Sequence, residues 1–79
     1  MIEFVIIPSY LTDMALIMSH IKESLPEWNL SKMAIRDNVY DVTLSSENNA
    51  DTGIALSRLV KAISAFPATG YKVLSSAEG

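Results

Sequence analysis

Residues 2–25 read IEFVIIPSYLTDMALIMSHIKESL and contain the clearest change of hydrophobic period in the chain. The segment Ile2–Ile7 is rich in β-branched and aromatic residues and stops at Pro8, which predicts a strand buried on most of both faces. The apolar residues that follow recur at helical spacing up to Pro26, which predicts an amphipathic helix. The residues on its buried stripe are Met14, Ile17, Met18, Ile21 and Leu25. We expect Ser9 or Thr12 to cap this helix.

A second helix is indicated further along the chain, after the polar loop 46–52. Asp51 and Thr52 are candidate caps in that loop, as are Ser46, Asn48 and Asn49. The Phe66–Gly70 segment contains a proline and a glycine and predicts the turn that ends the helix. The apolar stripe consists of Leu56, Leu59, Val60 and Ile63, with Ala55 and Ala62 beside it.

Between the helices, Trp28–Arg36 and Val39–Ser45 predict a hairpin whose turn is Asp37-Asn38. The first of these strands changes phase, because Trp28 and Leu30 share one face whereas Met33 and Ile35 share the other. A bulge near Ser31-Lys32 would reconcile the two halves on an edge strand. A last short strand is predicted over Tyr71–Leu74, with a flexible tail over 75–79.

The resulting order is β-α-β-β-α-β, which predicts a ferredoxin-like α+β sandwich over residues 1–79 as one domain. Right-handed crossovers place both helices on one face of a four-stranded antiparallel sheet. The expected strand order is 4-1-3-2, with the first strand central.

Composition excludes several classes of function. The 79 residues contain no Cys, which excludes disulfides, zinc knuckles and thiol nucleophiles. Six Lys+Arg against nine Asp+Glu give a net charge of −3, so direct binding to nucleic acid is not expected. No targeting segment or membrane span is visible, and we expect a cytoplasmic protein.

The uncovered face of the sheet provides the candidate binding residues. Because Glu3 is not expected to point into the core, its phase should face outward on the first strand. The predicted contacts with a partner are Val5, Ile7, Val39, Asp41 and Leu74, with Trp28 at the sheet edge. The partner would be a second copy of the chain, giving a homodimer, or another protein.

No arrangement of residues predicts catalysis, a cofactor or a metal site. His20 is the only histidine, and it is expected to be a solvated helix residue. Asp37 and Asp41 could hold Mg²⁺, but they fit better as a turn residue and a solvated sheet residue. RNA-recognition motifs stack bases on aromatic residues of their open sheet face, and here that face offers Val39 and Asp41.

Our hypothesis from the sequence is therefore a small acidic interaction protein without enzymatic activity. It would be a bacterial or phage regulator or inhibitor that binds a macromolecular partner through its sheet face or acidic rim. The alternative is a dimeric, ribonuclease-like antitoxin of the same fold, with His20 or Asp41 in its site. A module that senses small molecules at a dimer seam is a third possibility.

Overall fold

The computed structural model describes residues 1–46 and 51–76 of the chain. Its elements follow the predicted order, with two helices and four strands. They are β1 (Ile2–Ile7), α1 (Met14–Ser24), β2 (Asn29–Arg36), β3 (Val39–Ser45), α2 (Thr52–Ser64) and β4 (Gly70–Ser76). The four strands form one antiparallel sheet in the order β2-β3-β1-β4. This is the expected order read from the opposite edge, so the ferredoxin-like βαββαβ arrangement is confirmed.

The core lies between the helices and the inner face of the sheet, which is the face that the helices cover. In β1 the alternate residues Ile2, Phe4 and Ile6 are fully buried. Phe4 is paired with Val42 on β3 and with Val73 on β4, so all three contribute to this inner face. Strand alternation therefore assigns every second residue of the central strands to the core.

The predicted stripe of α1 is confirmed, because Met14, Ile17, Ile21 and Leu25 are buried and Met18 packs against them. The cap differs from expectation. Asp13 is the N-cap, and its carboxylate accepts a hydrogen bond of 2.9 Å from the backbone N–H of Ala15. Asp13 lies directly before the first helical residue, which is the position where a short acceptor side chain reaches the free N–H groups.

Helix α2 is capped by Asp51, whose carboxylate accepts hydrogen bonds from the N–H groups of Gly53 and Ile54. The candidate caps Asn48 and Asn49 lie outside the described residues. The buried stripe is shifted from the predicted one, because Leu56 and Val60 are only partly buried. The fully buried residues of the helix are Thr52, Ala55, Leu59, Ala62 and Ile63. Small alanines on this stripe allow close packing, which leaves the longer side chains at its margin.

The hairpin turn is the predicted one. Asn38 adopts φ 58°, in the left-handed region that asparagine tolerates better than most residues. Its side-chain amide donates a 2.7 Å hydrogen bond to the carbonyl of Pro8, at the end of β1. This contact fixes the β2–β3 turn to the neighbouring β1–α1 loop.

The structure of strand β2 corrects the predicted position of its bulge. Its register with β3 is regular through Ser31 and Lys32 and shifts only between Ala34 and Arg36. The predicted bulge near Ser31-Lys32 is therefore wrong. Met33 remains in regular pairing on the side of the sheet away from the helices, where it is 65% exposed. Of the two apolar phases of this strand, the one with Leu30 packs against the core, and the one with Met33 and Ile35 stays exposed.

Strand β4 is longer than predicted, because it begins at Gly70 and continues to Ser76. Ser75 pairs with Glu3, and Ser76 pairs with Ile2, so both belong to the sheet and not to a tail. The rest of the predicted tail, 77–79, lies outside the described residues. Within the described chain, neither α1, with 11 residues, nor α2, with 13, is long enough to cross a membrane.

Candidate functional site

The outer face of the sheet, turned away from both helices, is the candidate site. One row across the four strands is set by strand pairing, with Val5 opposite Lys72 on one side and Asp41 on the other. Asp41 in turn lies opposite Met33 on β2. The outer face comprises Glu3, Val5, Ile7, Ser31, Met33, Ile35, Arg36, Val39, Asp41, Thr43, Lys72 and Leu74.

Apolar side chains occupy much of the outer face. Met33 and Ile35 are both more than half exposed. Ile35 is the extra residue at the register shift in β2. It lies between Ala34, which faces inward, and Arg36, which pairs with Val39. Ile7 and Leu74 are each nearly half exposed. Because β1 and β4 are antiparallel, they lie toward opposite ends of the sheet. A solvated antiparallel face normally alternates to polar residues, so this surface is unusually apolar for one in contact with water.

A pair of carboxyl groups lies within this apolar surface. Asp41 Oδ1 is shielded from solvent, and no hydrogen-bond donor reaches it from the described part of the chain. The protonated carboxyl of Glu3 can donate a hydrogen bond to Asp41. That hydrogen bond, the repulsion between the two charges and partial burial together raise the pKa of Glu3 above its ordinary value. The carboxyl of Glu3 therefore holds its proton more readily than an isolated glutamate would.

The structure places five of the six predicted contact residues on the outer face: Val5, Ile7, Val39, Asp41 and Leu74. Trp28 is the exception, and its predicted position on the contact surface is corrected. It precedes β2 and packs in the core with only 7% of its surface exposed. Because its indole is enclosed on the helix side of the sheet, Trp28 does not belong to the outer face.

Sequence reasoning missed Met33 and Ile35, because it assigned them to the core side of a bulged strand. The signal that could have found them is their odd spacing from Leu30, which in a regular strand places them on the opposite face of the sheet. It also missed Tyr10 and Leu11, which are 94% and 98% exposed in the loop after β1. Hydrogen bonds from the N–H groups of Leu11 and Thr12 to Ser9 close this loop into a tight turn. The apolar pair is thus held in the solvent by a defined backbone.

The candidate catalytic residues do not come together. His20 packs edge-to-face on Phe66, with ring centroids 5.5 Å apart, and is partly buried on the helix side of the sheet. It is therefore less solvated than expected. Asp41 belongs to the outer face, on the other side of the sheet, so the two residues cannot share one site. Among residues 1–46 and 51–76, no three His, Asp or Glu side chains are grouped to hold a metal ion.

An open groove of about 550 Å³ runs between α1 and the start of β2. Its apolar surface comes from Met18, Trp28 and Leu30, and its cations are Lys22 and Lys32. No acidic residue of segments 1–46 and 51–76 lines it. The remaining lining residues are Ala15, Ser19 and Asn29. The groove lies at the edge of the sheet, since β2 is an edge strand.

Comparison with known proteins finds no matching family model, no matching curated protein and no matching solved structure.

Proposed function

We propose that this protein is an interaction protein without enzymatic activity, which acts as a regulator or inhibitor by binding through its outer face. The observation that carries the proposal is the apolar character of that face. Six apolar side chains, from all four strands, lie on a surface that no element of the described chain covers: Val5, Ile7, Met33, Ile35, Val39 and Leu74. Water contact with such a surface is unfavourable in proportion to its area, and association removes it.

The occupant that we propose is a second copy of the chain, packed sheet against sheet. Four strands about 4.8 Å apart and about seven residues long at 3.3 Å each give a face of roughly 19 by 23 Å. Two such faces offer about 900 Å² of projected area, close to the ~1,000 Å² that a specific interface should exceed. A dimer of this size should exchange with monomer at micromolar concentrations, so that the monomer can also present its face to a different protein.

The Glu3–Asp41 pair makes the proposed association dependent on pH. Packing two outer faces together buries the carboxyl groups, and burial favours their neutral form. The other charged groups of this face are Arg36 and Lys72, which lie on the two edge strands. We therefore expect the dimer to strengthen as the pH falls from neutrality toward the raised pKa of Glu3.

Light scattering across protein concentrations from micromolar to millimolar tests the proposal. We expect the weight-average mass to rise from that of one chain, 8.6 kDa, toward twice that value. The substitution Val39→Lys should raise the dissociation constant at least about a hundredfold, because an unpaired ammonium buried in an interface costs several kcal/mol. Its circular dichroism spectrum should stay unchanged.

The matched control is Ser57→Lys, which adds the same charge on an exposed position of α2. This variant should dimerise like the natural protein. A constant monomeric mass at millimolar concentration would overturn the homodimer. A Val39→Lys variant that dimerises normally would show that association uses another surface.

A further inference from the structure

The edge of the sheet beside the α1–β2 groove is free to accept another strand. Strand β2 pairs only with β3, and the backbone groups along its other edge have no strand partner among the described residues. Seven of its eight residues are exposed, and Leu30 is partly buried. Exposed strand edges pair readily with extended segments of other chains.

The groove next to this edge is lined by two positively charged side chains. The chain has a net charge of −3, yet two of its six Lys and Arg residues, Lys22 and Lys32, line this one groove. Neither ammonium forms an ion pair within residues 1–46 and 51–76. Lys32 Nζ lies 5.4 Å from the ring centre of Tyr40, which restrains it on the helix side of β2. Both cations are therefore available to an anionic ligand.

We propose that the groove and the free edge of β2 together bind an extended acidic peptide of a partner protein. The peptide backbone forms hydrogen bonds with β2, and an apolar side chain enters the groove against Met18, Trp28 and Leu30. Carboxylates two residues before and after that side chain point to the same face of the added strand and contact Lys22 and Lys32. This binding surface is on the helix side of the sheet and is separate from the outer face.

A lysine on an edge strand can also serve only to discourage unwanted strand pairing. That role needs a charge at the edge, but it does not need an apolar groove beside it or a second lysine on the facing helix. The two roles predict opposite results, since a guarded edge rejects every added strand and a binding edge accepts an acidic one.

The test uses three end-blocked heptapeptides and the fluorescence of Trp28, which is the only tryptophan of the chain. The first has the sequence Thr-Glu-Thr-Leu-Thr-Glu-Thr, which places both glutamates and the leucine on one face of a strand. The second replaces both glutamates by lysine. The third keeps the acidic sequence but carries N-methyl groups on alternate amides, which block the hydrogen bonds to β2. We expect saturable binding of the first, and at least tenfold weaker binding of the other two.

Variants of the protein locate the binding site. Lys22→Gln and Lys32→Gln should each weaken binding of the acidic peptide by about threefold to tenfold, which is the range for one charged contact. Lys61→Gln removes the same charge from α2 outside the groove and should bind like the natural protein. Amide hydrogen exchange should slow along β2 when the peptide is bound.

Several results would overturn this proposal. Absence of binding at millimolar peptide would identify Lys32 as an edge guard. Equal binding of the acidic and basic peptides would exclude charge recognition. Equal binding of the N-methylated peptide would indicate a site for small anionic molecules without strand addition. The Val39→Lys variant should bind the peptide normally, so failure here and failure of the sheet-face dimer are separate outcomes.

Discussion

The same four strands form the inner and outer faces of the sheet. Contacts within the described chain account for the apolar residues of the inner face, but not for those of the outer face. On the inner face, Phe4, Ile6 and Val42 are fully buried against the helices. On the outer face, Val5 and Asp41 are direct neighbours across β1 and β3, and Met33 beyond them is largely exposed. β-propensity accounts for valine and isoleucine in any strand, but it does not favour an exposed methionine. Contacts within the described chain account for the inner face, and the composition of the outer face is what the proposed association would explain.

The largest expected effect is the loss in free energy of unfolding when a residue of the inner face is truncated, compared with a residue of the outer face. Phe4→Ala should lower the free energy of unfolding by about 3–5 kcal/mol, because it leaves a cavity in a fully buried position. That loss is comparable with the whole stability of a domain of this size, so cooperative unfolding should disappear. Val5→Ala, on the neighbouring residue but the opposite face, should cost about 1 kcal/mol or less. Chemical denaturation followed by circular dichroism measures both.

Phe4→Leu keeps most of the buried volume, so this variant should still fold and allow its stability to be measured. It should show a smaller but measurable loss of stability, still greater than that of Val5→Ala. Equal losses at Phe4 and Val5 in dilute, monomeric protein would contradict the division between a folding face and an association face.

The next largest effect is a change in dimer association that leaves the stability of the monomer nearly unchanged. The double substitution Met33→Thr with Ile35→Thr removes two exposed apolar side chains from an edge strand and places at both positions threonine, a β-branched residue that suits a strand. We expect the free energy of unfolding of the monomer to change by about 0.5 kcal/mol or less, as for most surface substitutions. The dissociation constant of the dimer should rise about tenfold, which corresponds to a loss of about 1.4 kcal/mol.

Sedimentation equilibrium measures that dissociation constant, and a matched double variant at Ser57 and Ser64 of α2, both changed to Thr, controls for the added threonines. If the Met33 and Ile35 variant dimerises as tightly as this control, the apolar residues of β2 lie outside the interface.

The smallest effect is expected at the carboxyl pair. Because the pKa of Glu3 is raised in the folded protein, the folded state binds this proton more tightly than the unfolded state. The contribution of Glu3 to stability is therefore present below its unfolded pKa and is lost as the pH rises through its folded pKa. Glu3→Gln keeps a donor for Asp41 at every pH and should remove this part of the pH dependence.

Melting temperatures between pH 4 and pH 7 check this prediction. We expect a small rise for Glu3→Gln at pH 7 and a flatter profile than that of the natural protein. Glu23→Gln, on an exposed position of α1, removes the same charge without a carboxyl partner and should leave the shape of the profile unchanged. Parallel profiles for all three proteins would show that Asp41 does not raise the pKa of Glu3.

The elements with strong periodic patterns could be predicted from sequence, and those at the sheet edges could not. The stripe of α1 and the Asp37-Asn38 turn follow from local spacing and backbone preference, which need no knowledge of distant residues. For β2, the sequence shows two competing apolar phases, and both satisfy the strand pattern. Only the helices decide which phase is covered, because they pack over Leu30 and leave Met33 in water. The same packing encloses Trp28, which local pattern alone placed at an exposed edge.

The order of the elements, the central position of β1 and the location of both helices on one side follow from the sequence alone. They depend on hydrophobic period and on the handedness of crossover connections, which act locally along the chain. Strand register and burial depend on contacts between residues far apart in the chain. Tertiary structure therefore decided that Met33 and Ile35 belong to the outer face, that Asp41 lies close enough to Glu3 to raise its pKa, and that Lys22 and Lys32 line one groove beside a free strand edge.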